Sequence, residues 1–107
     1  MKITEIRKEL RPFIEQLGLS DLWKEFEIRR ARKGDDLPDD EDGNVSWQID
    51  HRKVTIVLSR KADLRTAVHE LWHVRLEGHL EDPLPRNAHY EATIWHLTDM
   101  LLRGTSC

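Results

Sequence analysis

Hydrophobic positions at the start of the chain recur with the period of a helix. Apolar residues return every three or four positions within residues 3–17, which predicts an amphipathic helix that Pro12 kinks or divides and that ends at Gly18. Ser20 can cap a short turn after it. Residues 26–33 combine two apolar positions with a basic run, a pattern typical of a strand with one half-buried face.

The middle of the chain changes to the period of a strand. Apolar and polar residues alternate strictly in residues 45–49, and Val54, Ile56 and Leu58 recur at the same spacing of two in residues 54–58. Such alternation is typical of strands with one buried face, so the two runs predict a β-hairpin. The preceding residues 34–43 include six acidic residues among ten, together with Pro38, which predicts a solvated loop. Their carboxylates lack the spacing and the terminal glutamate of a calcium-binding loop.

Helical spacing returns in residues 64–76, where leucine, valine, alanine and tryptophan supply one apolar stripe. Ser59 or Asp63 offers an N-terminal cap for this helix. Gly78 is placed to end it. A helix is therefore predicted directly after the hairpin, and the residues with the most distinctive chemistry lie within it.

Two prolines, Pro83 and Pro85, interrupt the chain before a last helix. Asn87 can cap that helix, which is predicted over about residues 88–103 and ends at Gly104. The elements together predict an α+β fold, in which a short antiparallel sheet packs on two principal helices.

Composition and charge limit the classes of protein to which the chain can belong. With 107 residues it has room for one hydrophobic core, so residues 1–107 are predicted to form a single domain. The net charge of −3 comes from mixed signs spread along the chain, which argues against nucleic acid as a partner. Apolar runs such as residues 54–58 are too short for a membrane span, and the charged N-terminus does not resemble a signal peptide. The single cysteine, Cys107, fits a cytosolic protein.

The helix predicted over residues 64–76 contains the sequence His69-Glu70-Leu71-Trp72-His73. Residues four apart lie on the same face of a helix, so His69 and His73 can converge on one zinc ion. Glu70 projects about 100° around the helix from His69, a direction suited to a general base rather than to a ligand. Ordinary surface or core histidines can show the same spacing, but the position of the motif after a hairpin and within a predicted helix favours a zinc site.

Two motifs resemble those of the HExxH metallopeptidases of the gluzincin type, in which the third zinc ligand is a glutamate on a later helix. Residues 69–73 match the first motif, and Tyr90-Glu91-Ala92-Thr93 is similar to the Glu-Ala pair that opens the glutamate helix. The resemblance covers about residues 47–103 and extends to minimal gluzincins and ImmA/IrrE-type domains. It implies a small zincin-like domain, an active-site helix and a glutamate helix. The site residues that it implies are the ligands His69, His73 and Glu91 and the general base Glu70.

The residues themselves leave several candidates for the third ligand. His79 lies ten positions after His69, the spacing of the metzincin pattern, but Leu76 occupies the position where that pattern needs glycine. Glu77 is on the same helix as the two histidines, and one straight helix cannot easily wrap three ligands around a tetrahedral ion. A residue from a second helix can do so, which favours Glu91. The other candidates are His89 and Asp82.

These patterns predict a zinc-dependent peptidase with Zn²⁺ as its cofactor and a peptide or protein as its substrate. In this hypothesis Glu70 takes a proton from a zinc-bound water that attacks the scissile carbonyl. An extended substrate is expected to add to an exposed edge at the last strand. The alternative is a non-catalytic zinc-binding module with a regulatory or interaction role. Glu70 argues against it, because a structural zinc site needs no base beside an open position.

Several residues outside the HExxH sequence are further candidates for roles at the site. Trp47, on the hairpin, can line a cleft. The thiolate of Cys107 is a possible zinc ligand supplied by a neighbouring molecule, although a frayed terminus is the expected state. Four residues can stabilise an oxyanion or orient a ligand imidazole, with packing or solvent exposure as the more common role of such residues: His89, Tyr90, His96 and Asp99.

Overall fold

The structure, a computed structural model, describes residues 1–35, 37, 41–78 and 87–104. Four helices and three strands are present in this part of the chain. In chain order they are α1 (Ile3–Gln16), α2 (Leu19–Leu22), β1 (Glu25–Arg30), β2 (Gly43–Gln48), β3 (Lys53–Leu58), α3 (Leu64–Glu77) and α4 (Ala88–Gly104). The predicted α+β fold class is confirmed.

The strands form one sheet in the order β1-β3-β2. The hairpin is confirmed, since β2 pairs antiparallel with β3. The expectation of a wholly antiparallel sheet is wrong, because β1 pairs parallel with β3 and the sheet is mixed. Apolar and polar residues alternate in the same way in a half-buried strand whether its neighbour is parallel or antiparallel. The sequence pattern therefore does not indicate the direction of pairing.

The core lies between the sheet and the helices α1 and α3. The inward side chains of β3, Val54, Ile56 and Leu58, are completely buried, and so are Ile6 and Leu10 on α1. Burial of each such side chain contributes about 1.5–3 kcal/mol, so this shared apolar surface holds α1 and the sheet together. Most of the buried hydrophobic residues among those described belong to this one cluster.

The first helix is one continuous element. Pro12 lies on its exposed side and does not divide it. Gly18 follows at φ 72°, a left-handed conformation in which glycine carries no steric penalty, and this ends the helical run as predicted. The side chain of Ser20 makes no cap for α2. The Arg7 side chain donates to the Ile28 carbonyl oxygen at 2.8 Å, which ties α1 to the outer edge of β1.

Side-chain caps fix the ends of the two helices that matter for the site. Asp63 begins α3 by accepting from the Arg65 backbone amide at 3.1 Å, and Gly78 follows the last turn. Asn87 begins α4 by accepting from the Tyr90 amide at 2.9 Å. Of the two predicted caps for α3, Asp63 is therefore the one used. Within the described residues, no helix has both the length and the apolar character needed to cross a membrane.

Candidate metal centre

The HExxH sequence occupies the middle of α3, which is packed from several sides. This helix contacts α1, α4, β2 and β3, and every residue from 66 to 71 is buried. His69 and His73 lie one turn apart with their Nε2 atoms 3.2 Å from each other. The two histidines are 4% and 1% exposed, so the surrounding core restricts the orientation of both rings.

The fourth helix brings Glu91 to the same point. One carboxylate oxygen, Oε2, lies 3.0 Å from Nε2 of His69, and the other, Oε1, lies 3.2 Å from Nε2 of His73. Donor atoms bound to a tetrahedral zinc ion at 2.0–2.1 Å are about 3.3 Å apart. Two imidazoles and a carboxylate also match the donor set of a catalytic zinc site. Both the spacing and the chemistry of this group therefore fit a zinc ion.

Those candidates for the third ligand that the structure describes lie at different distances from the two histidines. Among the described residues, the group of potential ligands within reach of one ion is His69, His73 and Glu91. His89 lies on α4 but is exposed, and it is not part of this group. His79 and Asp82 lie outside the described residues.

Glu77 lies behind the second histidine. Its side chain is completely buried, and Oε2 is 2.7 Å from Nδ1 of His73. The Tyr90 hydroxyl donates to the same oxygen at 2.7 Å. A carboxylate that accepts from both groups keeps the proton of His73 on Nδ1 and leaves Nε2 available to a metal. Glu77 thus contacts a ligand rather than the metal position, and Tyr90 links this contact to α4.

Glu70 lies beside the histidines on the wall of an open cleft. The cleft has a volume of about 460 Å³. Glu70 is 5% exposed, and it lines the cleft without belonging to the His69, His73 and Glu91 group. The lining residues are Glu41, Asp42, Gly43, Asn44, Thr66, His69, Glu70, His73, Glu91 and Trp95.

Trp95 lines the cleft, a role that the sequence did not predict for this residue. Its ring stacks on His69 with centroids 3.9 Å apart and an angle of 31° between the planes. The guanidinium of Arg65 lies 4.2 Å from the Trp95 ring centroid, and its Nε donates to Asp99 Oδ1 at 2.8 Å. Hydrogen bonds from Arg65 hold the pKa of Asp99 below its usual value. Asp99 therefore joins α4 to α3 by pairing with Arg65 and not with His69 or His73.

The other residues that were candidates for roles at the site lie in different positions. Tyr90 contacts His73 in two ways: its hydroxyl donates to the Glu77 oxygen that lies beside His73 Nδ1, and the two rings lie with centroids 5.5 Å apart. His96 is exposed and lies beside Asp99 on another part of α4. Trp47 packs against the hydrophobic core, and the tryptophan that lines the cleft is Trp95. Cys107 lies outside the described residues.

The strand that borders the cleft is β2. The expectation that the last strand offers the edge is wrong, because β3 is central and pairs with β1 on one side and β2 on the other. Gly43 and Asn44, at the start of β2, line the cleft, and the outer edge of this strand has no strand partner among the described residues. The sequence pattern identified the hairpin but not which of its strands would lie inside the sheet.

Comparisons with protein families, with curated proteins and with solved structures find no match to this chain. The resemblance to gluzincins therefore rests on the two motifs. What the structure contributes is the convergence of His69, His73 and Glu91 beside an open cleft that Glu70 also lines.

Proposed function

We propose that this protein is a zinc-dependent peptidase of the gluzincin type. The observation that carries the proposal is the approach of Glu91 to within 3.0 and 3.2 Å of the two histidines, with Glu70 beside them in a cleft open to solvent. His69, His73 and Glu91 would hold the ion. Zinc, when bound, would supply a Lewis acid that polarises a carbonyl group and lowers the pKa of a water molecule to about 7.

Residues of the chain itself would transfer the proton and bind the substrate. Glu70 is the general base: it accepts a proton from the attacking water and returns it to the leaving amine, and its burial in the cleft wall holds the carboxylate close to the ligands. Main-chain groups on the outer edge of β2 are placed to bind an extended peptide beside the site. A peptide or protein is therefore the proposed substrate, and a cytosolic location remains part of the proposal.

The second candidate is a zinc-binding module without catalytic activity. A structural zinc site normally closes all four positions with protein ligands. Among the described residues only three potential ligands converge, and a cleft of about 460 Å³ lies beside them. This arrangement favours a site that exchanges water and substrate over a closed structural one.

The proposal is tested by peptide cleavage with Glu70→Gln as the matched variant. The zinc-loaded protein should cleave unfolded protein substrates or a peptide library, and Glu70→Gln should reduce kcat by about 100-fold or more while it retains zinc, because loss of a general base removes that much rate. Metal content is measured in both proteins. Equal inactivity of both proteins on varied substrates, with zinc bound to each, would refute the peptidase and support the binding module.

A further inference from the structure

The first residue of β2 is a glycine in a position where the backbone does not require one. Among the described residues, the glycines with positive φ are Gly18 and Gly34, so Gly43 has a conformation open to other residues. Glycine weakens a strand, because it loses more conformational freedom on folding and packs no side chain. The reason for Gly43 should therefore be sought in its surroundings.

A side chain at position 43 would point into the wall of the cleft. A Cβ atom placed there would lie 2.9 Å from Thr66 Cγ2, closer than such atoms normally approach, and 3.3 Å from both Glu70 Oε1 and Leu58 Cδ2. Thr66 and Glu70 are one turn apart on α3, so both face the start of β2. Thr66 is β-branched and limited in χ1, and Leu58 is completely buried in the close-packed core. The neighbour that can yield most easily is therefore the end of the Glu70 side chain, which lines the cleft.

We propose that Gly43 is a positioning residue for the general base. Its missing side chain leaves the space in which the Glu70 carboxylate is held against the metal ligands, and any larger residue displaces that carboxylate. This inference deepens the proposed peptidase and rests on it for its effect on rate. The displacement itself is independent of activity, since it concerns the position of one carboxylate beside one strand.

The test compares Gly43→Ala with Gly104→Ala. The second substitution adds the same methyl group at the end of α4, where nothing lies within 4 Å. In Gly43→Ala, kcat should fall by about 10-fold or more, because the Glu70 carboxylate must shift by a few tenths of an ångström and a displacement near 1 Å can cost about 100-fold, while KM and the zinc dissociation constant stay close to wild type. Gly104→Ala should leave all three quantities unchanged.

Crystal structures of the metal-free wild type and Gly43→Ala supply a readout that does not depend on activity. The Glu70 carboxylate should be displaced from position 43 in the variant, while both histidines and Glu91 keep their positions. If Gly43→Ala does not fold, the substitution is repeated in Thr66→Ser, which removes the methyl at 2.9 Å, with Thr66→Ser alone as the reference.

The outcomes separate this inference from the proposed function. An unmoved Glu70 in the variant structure would overturn the role of Gly43, whether or not the wild type cleaves peptides. A moved Glu70 with an unchanged kcat in an active enzyme would also overturn it. A moved Glu70 in a protein that cleaves nothing would support the geometric part of the inference and would count against the peptidase alone.

Discussion

At the scale of single residues, the buried carboxylate of Glu77 has the clearest physical task. A metal-bound histidine must present one nitrogen without its proton, and a hydrogen bond at the other nitrogen determines which one that is. The 2.7 Å contact between Glu77 Oε2 and His73 Nδ1 provides this bond, and the Tyr90 hydroxyl supports the same oxygen. In the proposed zinc site, Glu77 would thereby leave Nε2 of His73 free of a proton for the metal.

Zinc affinity should depend on the charge of Glu77 more than on the Tyr90 hydroxyl. Glu77→Gln keeps a side chain of the same shape but removes the charge, and it should weaken zinc binding by about 10 to 100-fold, the range typical of such supporting partners. Tyr90→Phe removes one hydrogen bond, worth about 0.5–1.5 kcal/mol, and should have a smaller effect. Competition titrations against a chromophoric chelator measure both. An unchanged dissociation constant in Glu77→Gln would contradict this role.

Part of the site could be predicted from single residues, and part could not. His69, Glu70 and His73 lie within one helical turn, so their mutual positions follow from helix geometry alone. The spacing of Glu77, four residues after His73, also indicated a shared face, but it did not say which nitrogen of the imidazole Glu77 would meet. The role proposed for Gly43 could not be predicted, because it depends on contacts with α3, a helix that begins about twenty residues later.

At the scale of elements, the site depends on how α4 is attached to α3. The Arg65 side chain donates twice to the Asp99 carboxylate, at 2.8 and 3.2 Å, and also covers the Trp95 ring. Glu91, Trp95 and Asp99 are each four residues apart, so one face of α4 carries a candidate ligand, a stacking partner and an ion pair. Loss of the ion pair should therefore loosen the helix that carries Glu91.

The attachment of α4 should weaken in acid. Hydrogen bonds from Arg65 lower the pKa of folded Asp99, so this pair stabilises the fold above the unfolded pKa of about 3.9 and ceases to do so as the pH falls through the lower folded value. In metal-free protein, Asp99→Asn should therefore make the free energy of unfolding fall less steeply below about pH 4. Urea titrations over a pH series measure the slope.

Arg65→Gln provides the matched control for Asp99→Asn. It removes the other half of the pair, so each single variant should flatten the pH dependence, and the double variant should show no further change. A wild-type slope in Asp99→Asn would mean that the pair contributes nothing to the acid sensitivity of the fold.

Element boundaries followed from the sequence better than element partners did. Asp63, Gly78 and Asn87 mark the ends of α3 and α4 as predicted, because capping is a local interaction between a side chain and the nearest turn. The place of β1 beside β3 was not predictable in this way. β2 and β3 are neighbours in sequence and pair through a short turn, whereas β1 is separated from β3 by more than twenty residues, and its place at the remaining edge depends on α1 and α3 on the face of the sheet.

At the scale of the whole molecule, the fourth helix is less integrated into the core than the third helix, on which it packs. Its fully buried residues among those described are Ile94 and Thr98, whereas α3 is buried along most of its length. The main core cluster combines α1, the sheet and α3, and α4 adds to it only partly buried residues, Leu101 and Leu102. An ion shared by His69, His73 and Glu91 would therefore add a link where the fold has few apolar ones.

Zinc should raise the melting temperature of this protein through that link. A ligand present at 100 times its dissociation constant stabilises the native state by about 2.7 kcal/mol, which corresponds to about 10–20 °C for a domain of this size. Thermal unfolding in buffered zinc, compared with unfolding in a chelator, should show this shift in the wild type and in Glu70→Gln, since Glu70 is not a proposed ligand. His73→Ala and Glu91→Ala should lose it. Hydrogen exchange should show the gain in protection mainly in α4, because α3 is already held by the core. A melting temperature that is the same in zinc and in chelator would show that no ion joins the two helices.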